Sequence, residues 1–535
     1  MIMKNYLLYI CISLFPVFNL KAQNHYERLE KIDVDSYEFS IAINDDNDII
    51  KGSTLVKIQF KKDIENFQLD LLNKNSAGKG MTVSKLETLL GDKIPFSHEN
   101  DKIKVLFKAK AGTTNTFRIN YSGIPVNGLV IAKNKYGDRT FFGDNWPNRA
   151  YHWLPTVDHP SDKAKVEWVI TAPNHYQVIA NGRLIEETDL DDHTRITKWK
   201  TQVPLATKVM VFGAARFAVE QVGEIYNIPV SSWVYPQNRA EGFYDYEMAY
   251  EILDWFINHV GPYPYAKLAN VQSKTMFGGM ENAGNIFYSE RSVSGERKIE
   301  GLLAHEIAHQ WFGNSASEGS WHHSWLSEGF ATYFTNLYNE QTHGRDKLVS
   351  GLKGQRNNVI NYSKKAYVPI VNPDITEYMK VLSTNTYQKG GWVLHMLRKE
   401  VGDEDFWKGI RTYYARYEHS NAYSDDLRAV FEEVTGEDLE SFFKQWVLTA
   451  GHPDFQLDWT YNGNKLNVLI NQHQKTSFQF PLEIELVFQD GSTQRETLDV
   501  NKSKQTFELN STKKPVKIVL DPDTWLLFEG TVSEK

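Results

Sequence analysis

The chain has 535 residues, of which 41% are hydrophobic and 24% charged, with 14 Trp, 27 Tyr and 29 Phe. That is ample apolar material for packed cores and too much chain for one, so two to four globular domains are expected and a disordered polymer is excluded. A formal net charge of −8 with no long Lys/Arg run excludes the electrostatic footprint of a nucleic-acid binder.

Residues 1–23 open with Lys4, continue in an apolar run from Tyr6 to Phe18 interrupted by Pro16, and close on Leu20-Lys21-Ala22. A charged start, a short apolar middle and a small residue near the end are the order of a secretory signal peptide, with 1–22 as the predicted extent and cleavage after Ala22. The run is short for a bilayer span, which takes about 20 residues, with an uncleaved anchor as the alternative reading, and no second such run follows. The expectation is an exported protein, periplasmic or extracellular, whose mature chain has no integral membrane span. Cys11, the only cysteine, falls in the signal, which leaves the mature chain without a disulfide, a thiolate ligand or a cysteine nucleophile.

Short alternating runs across 37–217, such as Tyr37-Glu38-Phe39-Ser40-Ile41, are separated by Asn, Asp and Gly turns. They predict an N-terminal antiparallel β domain, bounded here at 23–220. Beyond Val222 the apolar spacing changes to three and four, in 244–260, in 300–312 and in segments from Phe406 and Leu427, predicting a mainly helical domain over 221–450. Ser424 reads as a cap of the helix that follows it, and Gly313 as a helix stop. After Gly451-His452-Pro453 alternation returns, in 455–459 and 516–520, predicting a C-terminal β-sandwich over 451–535 and a multidomain α+β chain overall.

The chemistry concentrates in His305-Glu306-Ile307-Ala308-His309, inside an apolar-periodic stretch. Helix positions four apart share a face one turn apart, so both imidazoles reach one ion. This pattern is a zinc-site motif in which the intervening carboxylate, here Glu306, is the general base. Glu328 stands nineteen positions after His309, in a second predicted helix starting near Ser327. Two His and one Glu leave a fourth tetrahedral position for water, whereas structural zinc is closed by four protein ligands. One zinc ion per chain and a hydrolytic reaction are expected.

Further motifs stand around that core: Gly278-Gly279-Met280-Glu281-Asn282, then Tyr387-Gln388-Lys389-Gly390-Gly391 with Val393-Leu394-His395-Met396-Leu397, then His452-Pro453 after Trp446-Val447-Leu448-Thr449-Ala450-Gly451. With them the sequence resembles the gluzincin aminopeptidases, the family of aminopeptidase N and leukotriene hydrolase, from about 140 to 455. The resemblance is to a short form, expected to lack the large helical domain that many relatives carry beyond the β-sandwich.

The resemblance implies a thermolysin-like catalytic domain in which His305, His309 and Glu328 hold zinc and Glu306 deprotonates the water activated there, then passes the proton to the leaving amine. It implies that Tyr387 donates a hydrogen bond to the developing oxyanion. Glu281 would hold the free ammonium of a peptide substrate, Gly278 and Gly279 would let substrate backbone approach, and Met280 and Asn282 belong to the same substrate-binding motif. The family usually adds a second amine-binding Glu or Gln upstream of a segment matched by Leu154-Pro155-Thr156-Val157-Asp158. Read without gaps, that position is Trp146, and Asp144 is the nearest acidic candidate. Gly279 also departs from the commoner Ala.

Plainer readings stand beside these. His322 and His323 precede the second ligand helix, but three ligands already satisfy a catalytic zinc, so they are taken as structural. His395 reads as packing, and Trp311 and Phe312 as core. Rival functions are a zinc-retaining binding or adhesion protein that has lost catalysis, and an endopeptidase or epoxide hydrolase of the same chemistry. Intact Glu306, Tyr387 and Glu281 speak against the first, and Glu281 against an endopeptidase.

Overall fold

The computed structural model describes residues 27–535, so the expected signal segment and Cys11 lie outside the described residues. In the N-terminal region, strands with alternating burial such as Ile32–Ala42 and Ile50–Phe60 join an eight-stranded sheet. Their inward aromatics stack into a core, with Phe39 and Trp168 ring centres 5.0 Å apart and Trp153 and Trp168 5.9 Å apart. The sheet is antiparallel apart from its central pair, Ile32–Ala42 and Lys163–Pro173, which run parallel. That departs from the purely antiparallel expectation, because the two strands are distant in sequence and no hairpin dictates their sense.

The region expected to be mainly helical also contains a mixed five-stranded sheet, ordered Ala218–Ile225, Ile228–Val234, Leu268–Ser273, Asn285–Ser289 and Gly279–Met280. Every residue of Leu268–Ser273 is buried, so the strand has no period-two signature to betray it. This sheet divides two apolar cores. Ala269, Val271 and Phe287 face the N-terminal core, whereas Leu268, Ile286 and Tyr288 face the helices. The short Gly279–Met280 strand pairs antiparallel with Asn285–Ser289 and forms the sheet's edge.

Helices Glu300–Ala308, Trp325–His343, Gly390–Val401 and Ser424–Thr435 follow, among others. Ser424 is the first residue of its helix rather than its cap. Its hydroxyl is engaged by Trp325 Nε1 and by His323 Nδ1, each at 2.9 Å, while the Asp426 carboxylate accepts the Tyr423 N–H at 2.7 Å. Beyond 453 lie two sheets of four and three strands, and their core is continuous with that of the helices. His395 ties the two regions together: its Nδ1 meets Tyr333 Oη at 3.0 Å, its Nε2 the Thr524 carbonyl at 2.9 Å, and its ring stacks on Trp525 at 4.5 Å. Burial pushes its pKa down to about 3, so it stays a neutral packing residue. No helix among the described residues is long and apolar enough to cross a membrane.

Candidate active site

Helix Glu300–Ala308 buries Leu303, Ala304, Ile307 and Ala308 in the core, which fixes its rotation. His305 and His309 then present Nε2 atoms 3.2 Å apart. Glu328, from helix Trp325–His343, brings Oε2 to 3.4 Å from the first and 3.2 Å from the second. Tetrahedral ligands about 2.0–2.1 Å from a zinc ion stand about 3.3 Å from one another, so these three atoms are spaced as ligands of one ion. Glu328 Oε2 is buried with no hydrogen-bond partner, an acceptor that a cation would satisfy. Two imidazoles and one carboxylate suit zinc, whereas calcium and magnesium take oxygen donors. The residues present fit the metal.

Burial opposes charge on Glu328, but His309 and His305 beside it hold its carboxyl well below the usual range. Burial likewise pulls His309 down, and Glu328 outweighs it, lifting the imidazole to about 9. The far nitrogen of His309, Nδ1, lies 3.2 Å from the Phe312 carbonyl and 3.0 Å from Ser327 Oγ. These contacts orient the ring so that Nε2 faces the centre. Gly313, at φ +114°, leaves room for that hydroxyl, since a methyl there would lie 2.1 Å from Ser327 Oγ. Ser327→Ala is expected to weaken zinc binding about 10- to 100-fold, measured by competition with a chromogenic chelator.

Glu306 projects from the same helix and is 5% exposed, and burial raises its carboxyl well above the ordinary range. It lies directly against the edge strand, where a methyl at Gly279 would come within 2.3 Å of Glu306 Oε1. Here the glycine in place of the commoner Ala has a physical reason: the Glu306 carboxylate occupies the space a side chain would fill. The methyl would also lie 2.4 and 2.6 Å from Glu306 Cδ and Cγ, so Gly279→Ala forces that buried side chain to move. The variant's kcat is expected to fall about 100-fold from misplacement of that carboxylate, read by steady-state kinetics.

Glu281 follows in that strand segment. Its main-chain carbonyl accepts from Gln310 Nε2 at 2.8 Å and from Asn314 Nδ2 at 2.6 Å, both just past His309. The carboxyl is 5% exposed, its Oε1 has no partner, and burial raises its pKa. Gly278 is exposed, whereas Met280 is 2% exposed and packs in the N-terminal core and Asn282 is wholly buried. The last two therefore hold the strand in place, while Gly279 lies against Glu306 and the Glu281 carboxyl lies near His309 and Glu328.

Tyr387 sits in a π-helical turn, Asn385–Lys389, that leads into helix Gly390–Val401. Glycines allow the approach: a methyl at Gly329 on the second ligand helix would lie 2.9 Å from Gly390 Cα. The Tyr387 ring stacks on His305 at 6.0 Å. Burial first, and then the Glu328 carboxylate, raise its hydroxyl far above the usual value, which keeps it protonated and able to donate.

Asp144 differs from the expected amine-binding carboxylate. It is wholly buried, forms an ion pair with Arg149 and accepts from the Thr275 hydroxyl at 3.1 Å, so its charge is already spent. Trp146 packs edge-on against Trp321 at 5.6 Å. His322 and His323 are also engaged, the first with the Ile375 carbonyl and the second with Ser424, both at 2.9 Å. Gln310, Asn314 and Ser327 carried no signal in the motif spacing beyond their nearness to the ligands.

Two family profiles match the chain: the peptidase M1 N-terminal domain over residues 33–209 and the peptidase family M1 domain over 244–446. Human glutamyl aminopeptidase is 27% identical over 353 residues, 62% of this chain and 36% of that protein. Probable aminopeptidase 2 of Sulfurisphaera tokodaii is 24% identical over 518 residues, 92% of this chain and 63% of that protein. Aminopeptidase M1-B of rice, Oryza sativa subsp. japonica, is 28% identical over 319 residues, 56% of this chain and 36% of that protein. The chain thus spans between about one third and two thirds of the length of these relatives.

Proposed function

This chain belongs to peptidase family M1, and from that premise we propose that it is a zinc-dependent aminopeptidase releasing the first residue of peptides with a free amino end. The observation that carries the reading is the buried Oε1 of Glu281, which has no hydrogen-bond partner, on a residue whose main-chain carbonyl is held by Gln310 and Asn314 beside the His305, His309 and Glu328 cluster. A carboxylate so placed favours an ammonium ion, and a peptide continuing past it would bury an amide against an unpaired charge.

His305, His309 and Glu328 would hold the zinc, which would supply Lewis acidity toward the scissile carbonyl and a more acidic water. Glu306, shielded from solvent, takes the proton from the attacking water and delivers it to the leaving amine. Tyr387 donates its hydroxyl to the carbonyl oxygen as that oxygen gains charge. Edge strand Gly279–Met280 offers main-chain groups along which an extended peptide pairs as an added strand. We read the helical region as thermolysin-like, the two C-terminal sheets as a sandwich, and the N-terminal segment as an export signal.

The test compares unblocked aminoacyl amides with their N-acetylated counterparts, using the purified protein with and without a zinc chelator. Chelator-sensitive cleavage confined to free amines is expected. Cleavage of the acetylated set would remove the role of Glu281, and no cleavage by zinc-loaded protein would favour a binding protein.

A further inference from the structure

The two metal-ligand helices are joined by a connector, residues 309–324, and two lysines of the N-terminal β region reach into it. Lys208 has 0% side-chain exposure and donates to both carboxylate oxygens of Glu318, at 2.7 and 2.9 Å. Its ammonium lies 5.8 Å from the centre of the Trp321 ring. Lys163, at the start of strand Lys163–Pro173, donates to the carbonyls of Ser315 at 2.6 Å and Asn314 at 3.2 Å.

Taking lysine charges out of water is costly, and apolar contacts would join two regions at lower cost. What the charges add is direction: each ammonium fixes particular oxygens of the connector. Asn314 shows the consequence. Its carbonyl is gripped by Lys163, while its side chain donates to the main-chain carbonyl of Glu281 at 2.6 Å. Gln310 holds the same Glu281 oxygen at 2.8 Å. The connector is thereby tied to the N-terminal region on one side and to the amine-binding residue on the other.

We propose that Lys163 and Lys208 are positioning residues for amine recognition, so that the N-terminal β region, acting through the connector, sets where Glu281 stands relative to the metal ligands. The inference rests on the aminopeptidase reading of Glu281. A contact to the ammonium is made equally in the ground and transition states, so its loss raises KM and leaves kcat largely alone. Simple glue between regions has no reason to act on KM selectively.

The experiment uses the full chain, Lys163→Met, and the double variant Lys208→Met with Glu318→Met. The double variant is preferred to Lys208→Met alone, which would strand the Glu318 carboxylate in the interior. Zinc content, thermal melting, and kcat and KM on an unblocked aminoacyl amide are measured. Both variants are expected to keep zinc and to raise KM about 10-fold or more, with kcat changed less than about 3-fold. KM within about 2-fold of the unsubstituted enzyme in folded, zinc-loaded variants would overturn the proposal, as would zinc loss in step with the rise in KM. Failure of the unsubstituted enzyme to cleave free-amine substrates would instead overturn the aminopeptidase reading, and the proposal with it.

Discussion

Glu306→Gln is expected to lower kcat by about 10²–10⁴-fold while zinc content and melting temperature stay at their unsubstituted values. The substitution keeps the size of the side chain and removes only the ability to accept and return a proton. Glu306 is not among the three atoms that converge on the metal position, so the ligand set is untouched. Because it is buried against Gly279, the neutral amide meets no new charge and no new void. Steady-state kinetics and metal analysis on one preparation check the result. A variant with ordinary kcat would mean that another group takes the proton.

Tyr387→Phe is expected to reduce kcat about 10²–10³-fold, the usual consequence of removing one donor from a developing oxyanion, with little change in KM. Phenylalanine keeps the ring that stacks on His305 at 6.0 Å, so the test isolates the hydroxyl. The distinction matters because a tyrosine at the start of a helix also has a plain packing explanation. A packing role would show as a lower melting temperature with kcat intact, and a catalytic role as the reverse.

The parts of the site that were legible in the sequence are those set by local geometry. His305 and His309 converge on one point because four residues make about one helical turn, and Glu306 lies between them in the same segment. Glu281 was legible through its glycine motif, although the reason for Gly279, the Glu306 carboxylate pressed against it, needed coordinates. Asp144 misled because proximity in sequence to a family position says nothing about whether a carboxylate is free. Its partners are Arg149, five residues on, and Thr275, which lies in another region of the chain.

By itself the sequence determined the His305, His309 and Glu328 group that could hold a metal ion, the alternation of the N-terminal and C-terminal strands, and the family, since each rests on spacing within an element or motif. Tertiary structure alone decided the parallel central pair, the buried five-stranded sheet, the π-helical turn carrying Tyr387, and the Lys208 to Glu318 ion pair. The physical reason is the same in each case. Periodicity records how a residue meets its own helix or strand, whereas these features arise from partners brought together by packing. A fully buried strand or a fully paired charge leaves no mark on the pattern of its neighbours.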